Sequence, residues 1–169
     1  MHRPRLSTAL LLSSAGALLL ATATAVLFSI GLGMPLAMAQ TVQEARTRVE
    51  HHLREVDQIV RHFQDVVSTD CPRFSSRPEW RRYFDGEVDR MTLLLAHVEQ
   101  AWVEAKQGGD DDVRRAAKAP RRRLDEARVV LEKLQTCAAD NGASFSPLSV
   151  WGKIEREAPR RQDAIVLPR

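Results

Sequence analysis

Residues 76–107 read SRPEWRRYFDGEVDRMTLLLAHVEQAWVEAKQ, and this stretch decides the fold. Phe84, Val88, Met91, Leu95, Val98, Trp102 and Ala105 recur at alternating steps of four and three. Those steps hold the apolar side chains on one stripe of an α-helix. Leu94 and Ala101 widen the stripe, as a helix packed between two neighbours requires. Ser76 and Glu79 have the spacing of a capping box, with Pro78 in the first turn. Gly108 and Gly109 end the segment. At 1.5 Å per residue the helix would be about 45 Å long.

Both flanks repeat the pattern. Thr41 and Glu44 form a second capping box. Val42, Ala45, Val49, His52, Val56, Ile59, Phe63 and Val66 then carry a helix to about Ser68. On the other side, Asp110, Asp111 and Asp112 suit a helix N-terminus by capping and by the dipole. Val113, Ala117, Pro120, Leu124, Ala127, Leu131, Leu134 and Ala138 continue at the same spacing. Pro120 removes a backbone donor and should bend that helix near its first third. The connections are short and polar, so neighbouring helices should be antiparallel.

The expected fold is all-α: an up-down-up three-helix bundle with a short C-terminal fourth helix. Folding the first helix onto the second about their loop sets Phe63 opposite Phe84, Val56 opposite Met91, Val49 opposite Val98 and Ala45 opposite Trp102. The first and third helices then end together, which brings Cys71 and Cys137 to one end. An even cysteine count with no Cys-x-x-Cys pair reads as a disulfide in an exported chain. Ser146 and Pro147 start the fourth helix, expected to lie across the disulfide end over Phe74 and Tyr83 or an equivalent patch, and to stop at Pro159.

Residues 1–39 read as an address. Arg3 and Arg5 give a positive start, and no charged residue follows until Glu44. Residues 6–30 are apolar, Gly31, Gly33 and Pro35 break the run, and Ala37-Met38-Ala39 has the small residues of a cleavage site. The alternative is an uncleaved membrane anchor, since the run is long enough to span a bilayer. The expected organisation is a signal peptide at 1–39, a helical domain at 40–158 and a tail at 159–169.

The whole chain has 25 basic and 22 acidic residues. Without Arg3 and Arg5 the balance is near neutral, so global charge implies no partner. Local charge does. Arg114, Arg115, Lys118, Arg121, Arg122 and Arg123 crowd into one short segment. On an α-helix, Arg114, Lys118, Arg121 and Arg128 would form one ridge about 20 Å long. Such a ridge can bind lipid head groups, polysaccharide or an acidic protein. Charge runs on helices are more often a solvated face, here with the arginines paired to Asp110, Asp111, Asp112, Asp125 and Glu126. No aromatic residue interleaves the run, and export argues against nucleic acid.

The histidines offer a second constellation. His52 occupies a seam position, about one turn from Met91 across the interface, with His97 beside the seam. His52, Met91 and His97 are the candidates for a metal or haem ligand set. In the alternative, His52 is a buried neutral imidazole whose N–H needs a partner. A carbonyl freed by Pro120 would supply one, or the ring would turn to water at the seam edge. Burial would lower its pKa.

No Gly-x-Ser-x-Gly, His-Glu-x-x-His or phosphate-loop motif occurs. The sequence therefore points to an exported, periplasmic or secreted bacterial protein. It would be non-enzymatic and without a cofactor, binding an envelope protein or an anionic envelope surface through a basic helix face. Membrane contact is expected only through an uncleaved leader. The alternatives are a small metal- or haem-carrying protein and an enzyme whose site forms only in three dimensions.

Overall fold

The computed structural model describes residues 41–167 and is all-α, with no strand among them. The leader expected at residues 1–39 lies outside the described residues. The helices are α1 (Val42–Ser68), α2 (Arg77–Gly108), α3 (Asp111–Lys118), α4 (Leu124–Asp140) and α5 (Pro147–Asp163). A five-residue 3-10 segment, Ala119–Arg123, joins α3 to α4.

The caps follow local chemistry. The Glu44 N–H donates to Thr41 Oγ1 at 3.2 Å, and the Thr41 N–H donates to Glu44 Oε2 at 2.9 Å. This is the expected capping box, and it satisfies two otherwise unpaired donors of α1. Asp110 caps α3 by accepting from the Val113 N–H at 2.9 Å. The box expected at Ser76 does not form. Glu79 turns back to Ser75 instead, taking its N–H at 3.0 Å and its hydroxyl at 2.6 Å on one carboxylate oxygen. Two charge-assisted bonds to Ser75 outweigh the single backbone bond that a box at Ser76 would give Glu79.

Cross-helix pairs fix the directions. Arg48 meets Glu104 at 3.3 Å, His52 meets His97 at 2.9 Å, and His62 meets Glu87 at 2.8 Å. One index rises as the other falls, so α1 and α2 are antiparallel. The register is two residues from the expected one, which set His52 opposite Leu95. Asp57 pairs with Arg123 at 3.9 Å and Gln64 bonds Glu126 at 3.2 Å, so α4 runs with α1.

Cys71 and Cys137 form the disulfide, with their Cα atoms 5.2 Å apart. Asn141 reinforces that end. Its amide donates to the Pro72 carbonyl at 3.1 Å and the Cys137 carbonyl at 3.0 Å, and its oxygen accepts from the Phe74 N–H at 3.1 Å. Gly142 follows with φ of 63°, a left-handed conformation that glycine adopts without strain.

The fourth helix departs from expectation. α5 is 17 residues long and continues through Pro159 to Asp163. Proline removes one donor, and both Pro159 and the residue left without its usual partner, Glu155, are exposed. α5 also lies along α2 rather than across the disulfide end. Phe145, just before it, packs on Phe84 with ring centroids 4.6 Å apart. Near its end Arg161 pairs with Asp89 and Gln162 bonds Glu99. Phe74 and Tyr83 pack on each other and on Trp80, against the larger apolar cluster that Trp151 and Ile154 of α5 also enter. α2 is therefore enclosed on more sides than its seam implies, and Thr92, Ala96 and His97 are buried with Leu94 and Leu95.

The apolar interior has two parts. The larger gathers Val56, Phe63, Trp80, Met91, Leu94, Leu131, Leu134, Trp151 and Ile154 around the disulfide end. Each large apolar side chain there contributes about 1.5–3 kcal/mol by burial. The smaller consists of Ala45, Val49, Ala101, Ala105, Val113 and Ala117, with Leu53 and Trp102 against it. These side chains are small, so that end has less apolar area holding it closed.

Candidate functional site: a cationic cluster around Trp102

Trp102 lies at the edge of the small cluster and is half-buried. Its indole is the centre of three cations. Lys106 Nζ is 5.0 Å from the ring centroid, Lys118 Nζ is 5.2 Å away, and Arg121 Cζ is 5.5 Å away. All three distances are within cation–π range.

The backbone explains this convergence. Lys106 is four residues after Trp102 on α2, so the two share a face. Lys118 ends α3 and Arg121 lies within the 3-10 segment. Side chains three apart in 3-10 geometry eclipse one another, which sets Lys118 and Arg121 over the same ring. Pro120, between them, supplies no N–H for an α-helical bond and favours the tighter turn. The bend expected at Pro120 is thus a change of helix type. The α3–α4 connection loses one α-helical phase and gains another.

That change divides the basic ridge. A 3-10 turn advances about 120° per residue against 100° in an α-helix, so five such residues rotate α4 by about 100° relative to α3. Arg128 consequently faces α5, with Cζ 5.0 Å from the Trp151 ring, and pairs with Asp125 at 3.5 Å. Arg114 pairs with Asp111 and Arg115 with Asp112, each at 3.2 Å. Arg123 holds Glu126 at 2.7 Å. These four cations are therefore matched by carboxylates. Among the described residues Lys106, Lys118 and Arg121 form no ion pair, and all three are exposed. Of the four cations singled out from sequence, the structure brings together Lys118 and Arg121 and separates Arg114 and Arg128 from them. Lys106 and Trp102 complete the group. Their i, i+4 spacing was readable, but nothing in the sequence aligned α2 with the basic segment.

The second constellation is at the α1–α2 interface. His52 is fully buried and His97 is 4% exposed, and their Nδ1 atoms are 2.9 Å apart. One ring must donate and the other accept. His52 Nε2 is buried without a hydrogen-bond partner. An orphaned acceptor costs less than an orphaned N–H, which places the proton on His52 Nδ1 and makes His97 Nδ1 the acceptor. The His51 ring lies 5.4 Å from His52 and 6.0 Å from His97. Burial lowers the His52 pKa to about 4, helped by the neighbouring histidines; burial also lowers that of His97. The expected bond from His52 toward the carbonyl freed by Pro120 is replaced by the bond to His97, and the ring does not turn to water. The cause is the two-residue change of register, which puts an imidazole opposite an imidazole.

Met91 is wholly buried in the larger apolar cluster. Among the described residues no group of three or more His, Cys, Asp or Glu side chains is placed to hold a metal ion. Glu87, only 1% exposed, is held by His62 at 2.8 Å and Arg90 at 2.9 Å. This is how a buried carboxylate is normally satisfied. None of the helices among the described residues is long and apolar enough to cross a membrane.

No protein-family model, curated protein or solved structure matches this chain.

Proposed function

We propose that this is an exported, non-enzymatic helical protein that binds an anionic component of the cell envelope. The recognition element is the cluster of Lys106, Lys118 and Arg121 around Trp102. One observation carries the reading: these three cations converge on one half-buried indole without a carboxylate partner, while Arg114, Arg115 and Arg123 nearby in sequence are paired. Like charges held together raise the local positive potential, and an incoming anion relieves their repulsion. Trp102 fixes the lysine and arginine stems, so less side-chain freedom is lost on binding.

The leader-like residues 1–39 and the disulfide support placement outside the cytoplasm, where thiols oxidise. The direct test is titration of the mature chain with a soluble sulfated polysaccharide and, separately, with vesicles containing phosphatidylglycerol. Tryptophan emission should change with one of the two, and the change should shift to higher ligand concentration as salt rises. Absence of binding to both probes at low salt would reject the proposal.

A further inference from the structure

His52 and His97 stand at the boundary between the two apolar clusters. On α1, Val49 belongs to the small cluster and Val56 to the large one, with His52 between them. On α2, Val98 belongs to the large cluster and Ala101 to the small one, beside His97. The large cluster is closed by the disulfide and by α5. The small one is held by alanines and valines and by α3, through Val113 and Ala117.

We infer that the His52–His97 contact is an acid-labile joint that opens the small-cluster end, including α3, while the disulfide end stays folded. The chemistry is stepwise. The first proton can go to His52 Nε2, the buried nitrogen without a partner. It leaves the Nδ1–H···Nδ1 bond intact but places a charge in a site that solvates it poorly. The second must go to His97 Nδ1, which is the acceptor of that bond. Two N–H groups then face each other 2.9 Å apart, and the rings must separate.

The groups acting on the pair come from α1 and α2. His51 adds repulsion when charged, whereas Glu104 favours the charged form of His52 and Glu55 that of His97. Glu104 is itself held by Arg48 at 3.3 Å and Gln100 at 2.9 Å, which limits its use as a counter-ion. α3 presents the uncharged Val113 and Ala117 to this end.

The sign is fixed by the depressed pKa. An opened His52 titrates near its ordinary 6.5 and the closed one near 4. Opening is therefore unaffected above pH 6.5 and grows more favourable as pH falls toward 4. From His52 alone, the opening equilibrium rises about twentyfold between pH 7 and pH 5. Because Lys118 ends α3, opening would also scatter the cations over Trp102. That consequence rests on the proposed function; the opening itself does not.

The test is hydrogen–deuterium exchange of the mature, disulfide-bonded chain without ligand, at pH 7 and pH 5, corrected for intrinsic exchange. Amides of α3 should lose protection about twentyfold, and those of α4 near Cys137 far less. His52→Leu should abolish the difference at α3. An equal loss in α3 and α4, or an α3 loss that persists in folded His52→Leu, would overturn the inference. If His52→Leu does not fold, the comparison of α3 with α4 in the wild-type chain decides alone. Binding at pH 7 to the sulfated polysaccharide or to phosphatidylglycerol vesicles reports the binding site independently.

Discussion

Lys118 and Arg121 stand over the same indole, that of Trp102, because a 3-10 turn separates them by one full revolution. Pro120 is the residue that favours this turn. Pro120→Ala restores the missing N–H and should let residues 119–123 relax toward α-helix. Arg121 would then rotate away from the indole. The expected result is weaker binding of the anionic probe that the wild-type chain binds, with little loss of stability, measured by titration and by thermal melting of the same samples. Unchanged binding would separate the 3-10 turn from the site.

The buried imidazoles make stability depend on pH. The His52 pKa in the fold is about 4, below the ordinary 6.5, so the folded chain resists the proton that the unfolded chain accepts. Its contribution is complete above pH 6.5 and is lost as pH falls toward 4. By pH 5 the loss is about 2 kcal/mol from His52. Thermal melting at pH 7 and pH 5 should show the drop in wild type and a smaller one in His52→Leu. The same acid shift in both would remove His52 as its source.

The disulfide closes a loop spanning 66 residues. In the chain-entropy model a loop of that size is worth about 4 kcal/mol. Cys71→Ser with Cys137→Ser should lower the denaturant midpoint correspondingly. Two free thiols by non-reducing mass spectrometry of the protein from its native host would contradict the bridge.

Asn141 joins three backbone groups from two segments beside that bridge. Asn141→Ala leaves the Phe74 N–H and two carbonyls without this partner, at a cost of about 1–3 kcal/mol. Urea unfolding of the oxidised protein measures it. A change below the error of that measurement would show that water replaces the side chain.

The helices were legible because alternating steps of three and four are a strong signal, and the capping box at Thr41 marked one start within a residue. Cys71 and Cys137 could be paired because helix directions place them together. The length and position of α5 were not legible. Pro159 reads as a stop, yet exposure of that turn lets the helix continue. The contact of His52 with His97 depends on a two-residue difference in register, which apolar spacing alone does not fix. The site around Trp102 was half visible: the basic run is plain in sequence, but its division by a 3-10 turn and its meeting with α2 arise only in three dimensions.

On the proposed function, binding depends on Lys106, Lys118 and Arg121 gathered around Trp102, not on positive charge in general. Two triple variants with equal charge change separate these ideas: Lys106→Gln, Lys118→Gln, Arg121→Gln, and Arg114→Gln, Arg115→Gln, Arg128→Gln. The measurement is affinity, at fixed salt, for whichever of the sulfated polysaccharide and the phosphatidylglycerol vesicles the wild-type chain binds. The expected result is a loss of about tenfold or more for the Trp102 cluster, equivalent to about 1.4 kcal/mol, and a much smaller loss for the paired arginines. Equal losses in the two variants, or none in the first, would contradict it.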